Sequence, residues 1–130
     1  NLRLAIGAAD TRKKLLEEGK FSTSGILFDV NSDKIKPASY GILKEIATTL
    51  NENTDMRIKI IGHTDSDGDE PANLTLSKKR AEAVKAALNK EFSINNNRME
   101  TDGKGESQPV DKTNTTEGKA NNRRVEFIKL

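Results

Sequence analysis

Apolar positions recur along this chain with two different periods, and the places where the period changes mark out the elements. From Thr23 to Val30 the β-branched and aromatic content rises, which predicts a first strand closing on Phe28-Asp29-Val30-Asn31. Asp29 and Asn31 then fall at the C-terminal exit of that strand, a common position for ligand contacts in sheet proteins. Pro37 suits the first turn of a helix in which Ile42, Leu43, Ile46 and Leu50 follow Ile35 at three- and four-residue spacing. Met56, Ile58 and Ile60 alternate with Arg57 and Lys59, the period-two pattern of a strand with one face on the core. That strand runs into Gly62-His63-Thr64-Asp65, and an acidic loop follows. Pro71 opens the next helix, with Leu74, Ser77, Ala81, Val84, Leu88 and Phe92 as its inward stripe. Beyond the turn-prone Asn95-Asn96-Asn97, Arg98 to Asp102 reads as a short strand stopped by Gly103-Lys104-Gly105. The polar run Asp111 to Lys119 reads as a long loop, and Val125 to Leu130 as the last strand.

The predicted order is strand, helix, strand, helix, strand, strand. Such an order makes an α+β fold, a two-layer α/β sandwich with helices on one face of a mixed sheet. Ahead of it, Ala8 to Glu18 is rich in helix formers and stops at Gly19, but its apolar face is thin. Residues 1–22 therefore read as a linker or short peripheral helix, and residues 23–130 as the domain. The 130 residues suffice for one core and are too few for two ordinary domains.

Charge and composition narrow the chemistry. Lys and Arg number 22 against 20 Asp and Glu, and the signs are interleaved, which argues against non-specific nucleic-acid binding. Four Phe, one Tyr and no Trp leave little to stack on bases. Without cysteine there is no disulfide, no thiolate nucleophile and no cysteine-held metal. No run has the apolar length of a membrane-spanning helix, and the chain begins at Asn1 without a signal-like segment, so a piece of a longer, exported protein is expected.

Within the second helix, Asn73 and Arg80 lie about two turns apart at about 3.6 residues per turn, so Asn73, Leu76 and Arg80 share a face. Asp65, in the loop before that helix, can stand across a groove from Arg80. A carboxylate and a guanidinium so placed can grip a ligand end that carries both an ammonium and a carboxylate, or they can bind each other.

Taken together, several motifs in order resemble the OmpA-like C-terminal domain family, which includes peptidoglycan-associated lipoproteins and the periplasmic part of flagellar stator proteins. These are Gly62-His63-Thr64-Asp65; Asn73, Leu76-Ser77, Arg80-Ala81 and Val84; Gly103-Lys104-Gly105 with Pro109; and Asn122-Arg123-Arg124-Val125-Glu126. The resemblance covers Thr23 to Leu130. It implies non-covalent binding of peptidoglycan through the diaminopimelate residue of the stem peptide, on the periplasmic face of the outer membrane, in a parent protein associated with that membrane. By the same resemblance Asp65 and Arg80 grip the ligand, Asp29 and Asn31 edge the pocket, and Thr64, Asn73, Leu76 and Arg123 form further wall. Arg123 and Arg124 would face opposite ways on a regular strand, and the choice of Arg123 belongs to the resemblance.

Two other readings remain. Asp65, Asp67 and Asp69 at alternate positions suggest a calcium- or metal-binding structural domain, but an EF-hand needs glycine at the sixth position and glutamate at the twelfth. Glu70 and Leu76 stand there. Catalysis would rest on the single His63, without a serine elbow or an HExxH pair, so no enzyme, no cofactor and no metal are expected.

Overall fold

A computed structural model describes residues 13–29, 32–108 and 115–130. Its strands are β1 (Lys20–Thr23), β2 (Ile58–His63), β3 (Met99–Gly105) and β4 (Arg124–Lys129); its helices are α1 (Tyr40–Glu52), α2 (Glu70–Phe92) and α3 (Thr116–Asn122). The sheet order is β1-β4-β2-β3. β4 is antiparallel to both β1 and β2, whereas β2 and β3 are parallel neighbours, as a crossover through α2 requires. The expected mixed sheet with its helical layer is present.

The apolar spacing explains which faces meet. Leu43, Ile46 and Leu50 of α1 and Val84 and Leu88 of α2 are fully buried against Ile58, Ile60 and Phe127 of the sheet. Each such side chain contributes about 1.5 to 3 kcal/mol through removal from water. The opposite face of the sheet carries paired charges instead, including Lys59 with Asp102 and Lys20 with Glu126. Arg98 closes the end of α1, donating to the carbonyls of Leu50 and Asn53 at 2.7 and 2.8 Å and to that of Met56 at 3.0 Å. The Leu50 carbonyl lies in the last turn, where no i+4 amide of the helix follows, and Asn53 and Met56 lie just beyond the helix.

Four expectations are corrected. The first strand is not Thr23 to Val30: β1 lies earlier, and its inward Phe21 stacks on Phe127 at 6.3 Å between ring centroids. Among the described residues of the segment expected as strand, Phe28 is bridged antiparallel to Ile35, and Val30 lies outside those residues. The expected boundary between residues 22 and 23 falls inside β1, and Leu15, in a single helical turn over Lys14–Glu18, is fully buried in the core. Gly19 does end that turn, in the left-handed conformation at φ 74°; Ala8 to Arg12 lie outside the described residues. Leu74 is 41% exposed, and the buried position at that level of α2 belongs to Asn73. Finally, α3 begins within the polar run read as loop, capped by the Thr115 hydroxyl accepting from the Gly118 amide at 3.0 Å, and runs on to Asn122. Among the described residues the order of strands and α-helices is thus βαβαβαβ rather than βαβαββ.

Glycines bring α2 against the sheet. A Cβ on Gly62 would collide with the Ser77 carbonyl, and one on Gly103 with the Lys78 amide and the Ser77 hydroxyl. Gly105, at φ 56°, donates to the Ser77 hydroxyl at 2.9 Å, and its carbonyl accepts from Thr64 at 2.8 Å. This close approach holds the exit of β2 beside the first turns of α2.

Candidate ligand-binding site

At that exit a groove of about 480 Å³ opens between α2, the loop after β2, the segment 24–28 and the end of α3. Its size is that of a small-ligand pocket. Thr64, Asp65, Asn73, Leu76, Arg80 and Arg123, all anticipated from the sequence, line it. Asp29 does not line the groove; its carbonyl instead accepts from Arg80 at 3.4 Å. Asn31, like Pro109, lies outside the described residues. Ile26, Leu27 and Phe28 add an apolar wall, Asp67 and Ala120 add lining that the sequence reading missed, and Arg124, set aside there in favour of Arg123, lines it too.

Asp65 is 9% exposed, and its two carboxylate oxygens are engaged differently. Oδ1 accepts from the amide of Asp67 at 3.0 Å, a local turn that fixes the side chain, while Oδ2 is ion-paired with Arg123. No hydrogen bond joins Asp65 to Arg80. Arg80 is instead clamped by backbone, its Nε donating to the Ser32 carbonyl at 2.9 Å, with its guanidinium 4.9 Å above the Phe28 ring. Burial draws the Arg80 pKa below its usual value; the charge of Asp65 opposes that and the charge of Arg123 adds to it. The guanidinium remains cationic at any physiological pH.

Asn73 spends its amide on the loop. Its Nδ2 donates to the Asp67 carbonyl at 2.9 Å and to Glu106 at 3.0 Å, so it shapes the wall by holding residues 65–67 against β3. Lys119 of α3 reaches the same loop and pairs with Asp67 at 2.9 Å. With Asp65 and Asp67 occupied by cationic side chains, the acidic loop is a salt-bridged structure. Among the described residues no group of three His, Cys, Asp or Glu side chains could hold a metal ion.

Strand alternation predicted that only one of the two adjacent arginines could face the pocket, and that premise does not hold. Arg123 is the residue that ends α3, before β4 begins, and both Arg123 and Arg124 line the groove. They differ in partner: Arg123 meets Asp65, and Arg124 donates to the Gln108 carbonyl at 2.8 Å. His63, buried at the rear, faces Glu126 with Nε2 3.2 Å from Oε1, and its Nδ1 has no hydrogen-bond partner. Burial lowers the His63 pKa, and the neighbouring Arg124 lowers it further. Burial alone would raise Glu126, but Lys20 and His63 together hold its carboxyl below the ordinary range.

A groove lined by two aspartates and three arginines, built at a strand exit on a mixed sheet, defines a small binding domain. Residues 27–123 match the model of the OmpA family, and the chain belongs to that family. It is 38% identical over 104 residues to the probable lipoprotein YiaD of Escherichia coli, covering 80% of this chain and 47% of that protein. It is 36% identical over 103 residues to the peptidoglycan-binding protein ArfA of Mycobacterium bovis, covering 79% of this chain and 31% of that protein. Among solved structures, the peptidoglycan-associated lipoprotein of Burkholderia pseudomallei superposes with a TM-score of 0.74 at 30% identity, over 84% of this chain and 89% of that one. The chain thus spans less than half the length of these two curated relatives.

Proposed function

We propose that this domain binds peptidoglycan without covalent chemistry, through the diaminopimelate residue of the stem peptide, and so ties its parent protein to the cell wall on the periplasmic face of the outer membrane. The observation that carries the reading is the groove itself, in which the Asp65 carboxylate and the Arg80 guanidinium line one small cavity. The free end of diaminopimelate carries an ammonium and a carboxylate on one carbon. An ammonium pairs with Asp65, and a carboxylate meets a guanidinium, with its planar donor fork, in a charge-assisted contact. The hydrocarbon part of the ligand suits the wall of Ile26, Leu27 and Phe28. Two of the similar proteins are described as peptidoglycan-binding and peptidoglycan-associated, which agrees with this chemistry.

The test is co-sedimentation of the purified domain with insoluble peptidoglycan, with and without free diaminopimelate. Pelleting that free diaminopimelate abolishes is the expected result. A domain that stays in the supernatant contradicts the proposal, and pelleting indifferent to diaminopimelate contradicts the assignment of the ligand.

A further inference from the structure

We infer that Arg123 makes the groove select an amino-acid terminus over a plain amine, because it occupies Asp65 until a ligand carboxylate gives it a new partner. The inference rests on the proposed reading that the groove receives such a terminus.

The two arginines flanking Asp65 are held in different ways. Arg80 is fixed by the Ser32 and Asp29 carbonyls and by Phe28, and no carboxylate lies within ion-pair distance of it among the described residues. The side chain of Arg123 is 47% exposed, and Asp65 is its ion-pair partner. It projects from the point where α3 passes into β4, so its guanidinium can leave Asp65 by side-chain rotation without moving the sheet. Lys119 keeps α3 on the loop through Asp67 when that happens. Arg123 is therefore a movable cation already seated where a ligand ammonium must go.

An entering ammonium exchanges one cation on Asp65 for another. A plain amine gains little by this, since it breaks an ion pair as good as the one it makes and leaves Arg123 without a partner. An amino-acid terminus brings its own carboxylate, which lands between the fixed Arg80 and the released Arg123. The number of ion pairs then rises instead of staying constant. Selectivity arises from competition by the protein's own side chain, in addition to any direct attraction of the carboxylate.

The test is titration calorimetry of this chain with two soluble stem peptides that differ only in carrying diaminopimelate or lysine, using the parent, Arg123→Gln and Arg123→Lys. In Arg123→Gln the competitor is gone, and the lysine peptide is expected to bind about fivefold tighter than it does to the parent, the size of a half-exposed ion pair. The diaminopimelate peptide gains nothing, because freeing Asp65 is offset by the lost carboxylate partner. Arg123→Lys keeps a cation on Asp65 and is expected to exclude the lysine peptide as the parent does. A structural role for Arg123 can only weaken binding, so gain of the lysine peptide distinguishes the two. Unchanged or weaker lysine-peptide binding in Arg123→Gln overturns the inference while the parent's binding of diaminopimelate upholds the groove reading. A parent that binds neither peptide overturns both.

Discussion

Asp65 and Arg123 are ion-paired across 58 residues of sequence, joining the loop after β2 to the last residue before β4. Arg80, the cation that the helical spacing places opposite Asp65, is held by the Ser32 carbonyl. The groove therefore contains a satisfied carboxylate and a guanidinium with capacity for an anion. It is set up to receive a carboxylate without rearrangement and an ammonium only by exchange.

The fit of α2 on the sheet depends on Gly62, where a Cβ would collide with the backbone of Ser77. Backbone cannot move aside as a flexible side chain can. Gly62→Ala is expected to cost about 1 to 3 kcal/mol, the range for overpacking. Gly41, on the exposed side of α1 with open space around it, is the contrast: Gly41→Ala should stabilise by about 0.5 to 1 kcal/mol. Urea unfolding midpoints measure both, and a Gly62→Ala domain as stable as the parent would contradict the close approach.

His63 gives the domain a pH-dependent stability. Its folded pKa lies below the ordinary 6.5, chiefly through burial, so the folded state binds the proton more weakly than the unfolded chain does. Stability is full above about pH 6.5 and falls as pH drops from there toward the folded pKa. Glu126, whose carboxyl is held below its ordinary value, stays ionised through that window. Melting temperatures between about pH 5 and 8 should fall with acid in the parent and fall less in His63→Gln. Parallel profiles for the two proteins would show that His63 is not the group responsible.

Binding should need no divalent cation. The first two aspartates of the acidic loop are engaged by Arg123 and Lys119, and a calcium ion would have to displace both. A chelator should leave peptidoglycan binding unchanged, and calcium should not raise the melting temperature. Loss of binding in chelator would assign the loop to a cation after all.

Much of this was legible in the sequence, for identifiable reasons. Ile58 and Ile60, Leu43 and Leu50, Val84 and Leu88 sit at the periods their elements require, and each is fully buried. Elements that hold on by other means were not legible. β1 turns only Phe21 strongly inward in four residues, too few to show alternation against the richer stretch that follows it. α3 has no apolar stripe; it buries Gly118 and Asn122 and is fastened by Lys119 and Arg123, pairs that depend on a loop some fifty residues earlier. For the groove, the ordered motifs pointed to six of its lining residues, because the glycines and the helix repeat that bring them together are local. The partner of Asp65 was not legible, since it depends on where α3 ends.

The most direct measurement of the central claim compares pocket and core variants for retention on insoluble peptidoglycan. Asp65→Asn keeps the local turn to the Asp67 amide while removing the charge, and its stability loss should stay below about 1 kcal/mol. Ile60→Ala empties a fully buried site that is not part of the groove lining and should cost about 2 to 4 kcal/mol. Assayed below their melting temperatures, Asp65→Asn and Arg80→Ala should remain in the supernatant, while the less stable Ile60→Ala pellets with the cell wall as the parent does. Pelleting of Asp65→Asn and Arg80→Ala at the parent's level would contradict the account.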